Sequence, residues 1–222
     1  MDTSFNEKTS TFNLLGENGI VEARGKFARE LVEADYDKVG SINLDDFRLE
    51  DLIEIATKFP NTASLRIKKA DFLKSLNGIN KLKNLKDLVI DSTTLSDLSN
   101  IESLEKLAYL NIEDCPEASR ALDALPPSLT GLIINANYTA LDKLSGLTSL
   151  TNLNIIGIGS DLECLPDFPQ SIKKLSLRGF PNFKDGSCFK NLHASVYLNN
   201  LLDNSIENLP EGLSESRWFK PS

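Results

Sequence analysis

The chain has 222 residues, of which 41% are hydrophobic, and this is enough apolar material for a continuous core. Lysine and arginine number 24 against 32 aspartate and glutamate residues, which gives a net charge of −8 at pH 7. A negative balance argues against general binding to a phosphate backbone, so we expect no nucleic-acid partner.

Two absences in the sequence bear on location. No apolar run approaches the roughly 18 residues of a membrane span, and residues 1–8 lack the cationic and apolar regions of a cleaved secretory signal. The three cysteines, Cys115, Cys164 and Cys188, are unclustered, which is typical of free thiols in a reducing compartment. We therefore expect a cytoplasmic protein, either in the producing cell or translocated into the cytosol of a host cell.

The first part of the chain shows no clear repeat. Residues 1–19 are rich in Ser, Thr, Asn and Gly, and we interpret them as a flexible terminus. Residues 20–38 carry apolar side chains at helical spacing among charges, at Val21, Phe27, Leu31 and Ala34. This pattern predicts an N-terminal capping helix that covers the open end of the domain formed by residues 39–222.

The segment 35–46 admits two interpretations. It resembles an EF-hand calcium loop, with acidic residues at positions one and three and glycine at position six. Its fifth position, Val39, offers no side-chain ligand, and its twelfth, Asp46, is shorter than the bidentate glutamate of such loops. In the other interpretation, which we favour, a turn at Gly40 leads into a first repeat that contains Ile42. We therefore predict no metal site.

From this point an apolar–x–apolar pair recurs every 21 to 23 residues. The eight pairs are Ile42–Leu44, Leu65–Ile67, Leu88–Ile90, Leu110–Ile112, Leu132–Ile134, Leu153–Ile155, Leu175–Leu177 and Val196–Leu198. This period predicts a solenoid with one strand per repeat, stacked edge to edge in a parallel sheet. A ninth, imperfect strand is expected around Ser216 and Trp218.

Two kinds of segment connect the predicted strands. In the first kind, apolar residues fall at every third position before the strand, as in Ile79, Leu82 and Leu85. This spacing predicts helical or 3₁₀ turns on the convex side. In the second kind a proline ends the crossing, at Pro126, Pro169 and Pro210, and predicts an extended convex side.

The repeats resemble those of a known family. The segment 147–155, LTSLTNLNI, is similar to leucine-rich repeats, particularly the type found in internalins. The Leu-Pro-x-x-Leu-x-x-Leu segments resemble the short-repeat effectors of bacterial pathogens. The resemblance covers about residues 39–220 and implies an α/β fold: a right-handed, curved leucine-rich repeat solenoid of eight to nine repeats.

One position departs from the family pattern. The ninth residue of each repeat is usually asparagine, whose side chain bonds backbone groups in the turn after the strand. Here it is occupied by Phe47, Ala70, Thr93, Cys115, Asn137, Ile158, Phe180 and Leu201. Only the third, fourth and fifth of these fit, so we expect bulky apolar side chains to pack in place of a polar ladder elsewhere.

The concave face is the candidate binding surface. Because side chains alternate along a strand, residues between and just after the apolar pair point away from the core. The candidate partner-binding residues are Arg66, Lys68, Lys69, Asp91, Glu113, Ile133, Asn135, Asn154, Ile156, Arg178, Tyr197 and Asn199. The N-terminal half of this face is strongly charged, whereas the C-terminal half is nearly neutral.

Each half of the face has a second interpretation. The basic side chains of Arg66, Lys68 and Lys69 either contact a partner or pair with Asp45 and Asp91 on neighbouring strands. Exposed Ile133 and Ile156 beside Tyr197 have the composition of an interaction patch, but scattered surface isoleucines are also normal.

The sequence offers little for catalysis. A nucleophilic thiol needs a base within hydrogen-bond reach, and the chain has a single histidine, His193, to pair with Cys164 or Cys188. No third group is placed to orient the imidazole. Gly-rich phosphate loops and Cys/His zinc patterns are absent from the sequence, so we expect no catalytic residue and no cofactor.

The sequence therefore predicts a monomeric, non-catalytic module that binds a protein partner. The resemblance implies a bacterial effector that acts in host cytosol. The alternative is an intracellular regulatory or scaffold protein of the producing cell.

Overall fold

The computed structural model describes residues 2–6, 11–15, 28–29, 37–45, 49–92, 94–113, 115, 118, 122, 125–135, 138–157, 162–190, 192–199 and 206–210. One sheet of eleven strands runs through these residues. Within the same residues, no helix has the length and apolar character needed to cross a bilayer.

The strands follow the chain order with one exception at the N-terminus. They are β1 (Asp2–Asn6), β2 (Thr11–Leu15), β3 (Ala28–Arg29), β4 (Ser41–Asp45), β5 (Ser64–Lys68), β6 (Asp87–Ile90), β7 (Tyr109–Ile112), β8 (Gly131–Asn135), β9 (Asn152–Ile156), β10 (Lys174–Arg178) and β11 (Ser195–Asn199). Their order across the sheet is β11 to β4 in sequence, then β2, β1 and β3. A short helix, α1 (Ile53–Lys58), lies between β4 and β5.

Strands β4 to β11 confirm the eight predicted strands. Each pairs in parallel with its neighbour, and the apolar pairs stand in register, with Ile42 opposite Leu65 and Leu44 opposite Ile67. All sixteen residues of the pairs are buried except Leu198, which is half-buried because β11 forms the edge of the described sheet. Stacking the pairs builds one continuous apolar core along the solenoid.

The N-terminus differs from the prediction. Residues 2–6 and 11–15 form strands rather than a flexible segment, and β2 adds to the sheet in parallel with β4. Phe12 and Leu14 stand opposite Ile42 and Leu44, so they form a further apolar–x–apolar pair. The periodicity misses this pair because it lies 30 residues before the next one.

The predicted capping helix is not confirmed either. Most of residues 20–38 lie outside the described part of the chain. Of those described, Ala28–Arg29 form the antiparallel strand β3 against β1, and residues 37–38 lie in a 3₁₀ turn. An antiparallel strand at this end covers a sheet edge by hydrogen bonding, which is the role that the helix was expected to fill.

The segment 35–46 enters the first repeat. Residues 41–45 form strand β4, which pairs on both sides, with β2 and with β5. Ile42 is fully buried in the core. These contacts favour the repeat interpretation over the calcium loop, although Asp35, Tyr36 and Asp46 lie outside the described residues.

The convex side confirms the prediction from the three-residue spacing. Short 3₁₀ helices occupy Ile79–Lys81, Ile101–Ser103, Tyr138–Gly146 and Gly186–Phe189. In the first of these crossings the Ile79 amide donates to Leu76 O at 2.9 Å, Leu82 to Ile79 O at 2.9 Å, and Leu85 to Leu82 O at 3.0 Å. Three residues per turn bring all four side chains to one face, and all four are buried.

The proline-containing crossings are extended, as predicted. Each retains a single turn, in which the Leu129 amide donates to Pro126 O and the Ile172 amide donates to Pro169 O, both at 3.2 Å. Proline cannot donate an amide hydrogen bond, which prevents a longer 3₁₀ run. The third proline, Pro210, ends the last described segment, and the expected strand around Trp218 lies outside the described residues.

Apolar side chains do replace the polar ladder where the structure describes that position. Ala70 and Phe180 are both fully buried there. The Phe180 ring occupies its place because Gly157, in the preceding repeat, has no side chain: a Cβ on Gly157 would lie 2.5 Å from Phe180 Cε1. The large side chain of Phe180 therefore depends on the absence of a side chain at Gly157.

Polar side chains bond the turn carbonyls at two other repeats. Ser92 Oγ lies 2.6 Å from Ala70 O and 3.2 Å from Leu73 O, and the residue is fully buried. The Cys115 thiol donates to Ile90 O at 3.4 Å. Buried carbonyl groups need such partners, so serine and cysteine here do what asparagine does in regular repeats.

Replacing Gly157 by alanine is expected to lower the free energy of unfolding by about 1–3 kcal/mol, because the new methyl group would overlap the Phe180 ring. Urea unfolding followed by circular dichroism measures the change. Gly146→Ala is the matched control, since a Cβ there would meet nothing within 4 Å. Equal losses in the two variants would contradict the steric explanation.

Candidate functional site

The concave face is the face of the sheet that points away from the core, and it carries three rows of side chains. The first row precedes each apolar pair and comprises Asp87, Tyr109, Gly131, Asn152 and Lys174 in β6 to β10. The middle row lies within each pair and comprises Arg66, Val89, Asn111, Ile133, Asn154, Ser176 and Tyr197. The last row follows each pair and comprises Asp45, Lys68, Asp91, Glu113, Asn135, Ile156 and Arg178.

Charged residues crowd the N-terminal half of this face. Lys69 Nζ lies 3.5 Å from Asp45 Oδ1, and both side chains are largely exposed, so the ion pair contributes little to stability. Arg66 and Lys68 are exposed, and no ion pair joins either of them to another described residue. Lys69 is therefore paired within the chain, whereas the side chains of Arg66 and Lys68 on β5 are available to a partner.

A groove occupies the C-terminal half of the face. Its volume is about 420 Å³, and it runs across the strands from Tyr109 on β7 to Tyr197 on β11. Ile133, Asn154 and Ser176 of the middle row form its floor, and Lys174 lies along one side. Gly131 allows the Tyr109 ring to pack over its backbone, because a Cβ at this position would lie 2.9 Å from Tyr109 Cδ2.

One acceptor at the groove floor is unsatisfied. Asn154 Oδ1 is inaccessible to solvent and accepts no hydrogen bond from any residue that the structure describes. Asn154 itself is half-buried, lies between Ile133 and Ser176 in register, and lines the groove. A buried acceptor without a donor is costly, and a donor from a bound partner would remove that cost.

Of the predicted site residues, three line the groove: Ile133, Asn154 and Tyr197. The other placed candidates lie outside it, in the charged half or in the last row, and the Asn199 side chain lies outside the described residues. The prediction that Ile156 is exposed is wrong, because only 4% of it is accessible. Asn135 and Arg178 flank Ile156 in register on both sides.

Sequence reasoning missed the first row. Tyr109, Gly131, Asn152 and Lys174 all line the groove, yet none was a candidate. The signal was present, since the residue before an apolar pair points to the same face as the residue within it.

Comparison with known proteins places this geometry in a fold family. No protein-family model and no curated protein sequence matches the chain. Internalin C2 from Listeria monocytogenes is similar in structure, with 20% identity, 81% of each chain covered and a TM-score of 0.57. Human 5T4 is also similar in structure; it is also called Wnt-activated inhibitory factor 1 or trophoblast glycoprotein. Its sequence is 19% identical, the match covers 90% of this chain and 80% of that chain, and the TM-score is 0.60.

A third similar structure is the Listeria monocytogenes internalin InlF, with 17% identity and a TM-score of 0.54. The match covers 86% of this chain and 60% of that one. The chain has the leucine-rich repeat fold. Because its relatives include a human and two bacterial proteins, the fold itself is common to very different organisms.

The repeats bring few chemically reactive groups together. Within the part of the chain that the structure describes, no three His, Cys, Asp or Glu side chains form a group that could hold a metal ion. Cys115 and Cys188 are buried and Cys164 is exposed, and all three are free thiols. His193 is exposed at the start of the last described repeat.

The environment of Cys188 opposes a nucleophilic role. Burial raises the pKa of the Cys188 thiol to about 12, and the negative charges of Asp185 and of an ionised Cys164 add to the effect. A thiol is nucleophilic as its thiolate, so Cys188 is unreactive at neutral pH. This weighs against the thiol–imidazole pair with His193 that the sequence left open.

At about pH 8, a maleimide reagent is expected to label Cys164 in the folded protein and to leave Cys188 and Cys115 unmodified, because only the first is exposed. Unfolding in denaturant should make all three react. Mass spectrometry of tryptic peptides reads out the sites. Rapid labelling of Cys188 in the folded protein, lost in His193→Ala, would contradict the interpretation and indicate an activated thiol.

Proposed function

We propose that this leucine-rich repeat protein is a non-catalytic module that binds another protein through its concave face. The observation that carries the proposal is the groove between Tyr109 and Tyr197. It combines two aromatic side chains with an apolar residue and amide groups, which is the composition of the central part of protein interfaces.

The construction of the chain supports this proposal. The apolar pairs and the apolar residues of the convex crossings are buried in the core, so their side chains cannot contact a ligand. The three rows of the concave face have no structural duty of that kind, and their residues vary from strand to strand. A repeated scaffold that presents a varied row of side chains is suited to reading an extended partner surface.

We further propose that the protein is a bacterial effector that acts in host cytosol. Two of the similar structures are internalins from a bacterium. Three free cysteines in 222 residues suit a reducing compartment. The alternative setting is a regulatory or scaffold role inside the producing cell, which the same thiols would also suit.

Exchanging Ile133 and Tyr197 together for glutamate is expected to reduce capture of the partner at least tenfold, because two groove contacts become buried charges. The immobilised protein is incubated with bacterial and eukaryotic lysates, and bound proteins are quantified by mass spectrometry. Circular dichroism and thermal unfolding establish that the double variant is folded.

The matched control is Thr148→Glu, which adds a negative charge at an exposed convex position. It should leave capture unchanged. A partner that binds the double variant as well as the original protein, or that is lost equally in the control, would refute binding through the concave face.

The setting is tested separately by localisation. A small reporter fragment attached to the protein should complement its other half, expressed in the host cytosol, during infection by the producing bacterium. Signal confined to the bacterium would exclude the effector role and favour the scaffold.

A further inference from the structure

We propose that the groove takes an extended segment of the partner protein that lies across the strands, with a basic side chain at Asp87 and an acidic side chain at Lys174. The proposal rests on the proposed function and adds the chemistry of the partner and its direction along the concave face.

The first row sets the geometry of this segment. Asp87, Tyr109, Gly131, Asn152 and Lys174 stand opposite one another in register on five consecutive strands. Neighbouring strands are about 4.8 Å apart, so the four spacings from β6 to β10 span about 19 Å. An extended chain covers about 3.3–3.6 Å per residue, so about five to six residues bridge the two ends.

The charges at the two ends of the row are opposite and unpaired. Asp87 and Lys174 are both exposed, and neither forms an ion pair with any residue that the structure describes. Lys174 is the only charged residue that lines the described groove, and Arg178 lies on the same strand in the last row. Asp91 and Glu113 follow β6 and β7 in the last row, and Lys68 holds the same position on β5. A partner with one charge of each sign therefore complements the row at both ends.

The net charge of −8 does not decide the sign of the partner charge at each end. At physiological ionic strength the Debye length is about 8 Å, which is less than half of the 19 Å span. Each end of the row is therefore governed by its nearest side chains. A purely basic partner would match the total charge but would place a cation against Lys174.

The middle of the groove suits a main chain with an apolar side chain. The Tyr109 ring packs over Gly131, and Ile133 provides an apolar contact on the floor. Asn154 also lines the groove, and its amide side chain is of a type that hydrogen-bonds to a peptide group. A side chain of the partner packed on Ile133 would hold the segment at this point.

The test uses a random linear peptide library selected on the intact protein. We expect the enriched peptides to carry a basic and an acidic residue five or six positions apart, with an apolar residue between them. A synthetic peptide with the consensus sequence then serves as the probe, and fluorescence anisotropy measures its affinity.

Charge reversal provides the decisive comparison. Lys174→Glu and Asp87→Lys should each weaken binding of the consensus peptide about tenfold or more. The double variant should instead prefer a peptide in which the basic and acidic residues are exchanged. Lys83→Glu, at an exposed convex position, is the matched control and should bind the consensus peptide normally.

Selection of peptides without the charge pair, or no enrichment, would overturn the proposal, as would equal affinity for Lys174→Glu. These results are distinguishable from failure of the proposed function. If the Ile133 and Tyr197 double variant loses its captured partner but the charge reversals change nothing, protein binding stands and the assigned partner chemistry falls. If that double variant also captures normally, both fall.

Discussion

Burial of the apolar pairs by stacking is the constraint on which the rest of the structure depends. A single strand such as β5 presents only Leu65 and Ile67 to the core, and neither is covered until β4 and β6 pair on both sides. The convex crossings have the same requirement, because each 3₁₀ turn buries one side chain against the neighbouring repeats. Stability is therefore shared between repeats, and each repeat holds its neighbours in register.

The same constraint explains why the turn position can vary so widely. Its requirement is that carbonyl groups at the strand ends have partners and that the space is filled. Cys115 meets it with one hydrogen-bonded carbonyl, and Phe180 by filling the space that Gly157 leaves; in the third repeat Ser92, one residue before this position, bonds two carbonyls. Different residues satisfy one physical condition, and the strands on either side keep their register.

Sequence reasoning succeeded where a single physical cause sets the pattern. The eight strands and the two kinds of crossing follow from burial at fixed spacing, so Ile79, Leu82 and Leu85 indicate their 3₁₀ turns directly. It failed where spacing changes, as at Phe12, or where burial depends on a neighbour. Nothing in the sequence of β9 indicates that Ile156, which follows the apolar pair, is buried.

The concave face shows why the functional residues were harder to identify than the fold. Core positions are constrained to be apolar, whereas face positions are free to differ, so no repeated pattern marks them. The groove arises from a combination across five repeats: a glycine at 131 beneath the ring of Tyr109, and a second tyrosine at 197 two strands beyond Asn154. Such a site exists only once the strands are stacked, because each repeat contributes one or two side chains. The candidate binding surface thus depends on the register of the strands. The row that runs from Asp87 to Lys174 has a direction, which no single repeat has.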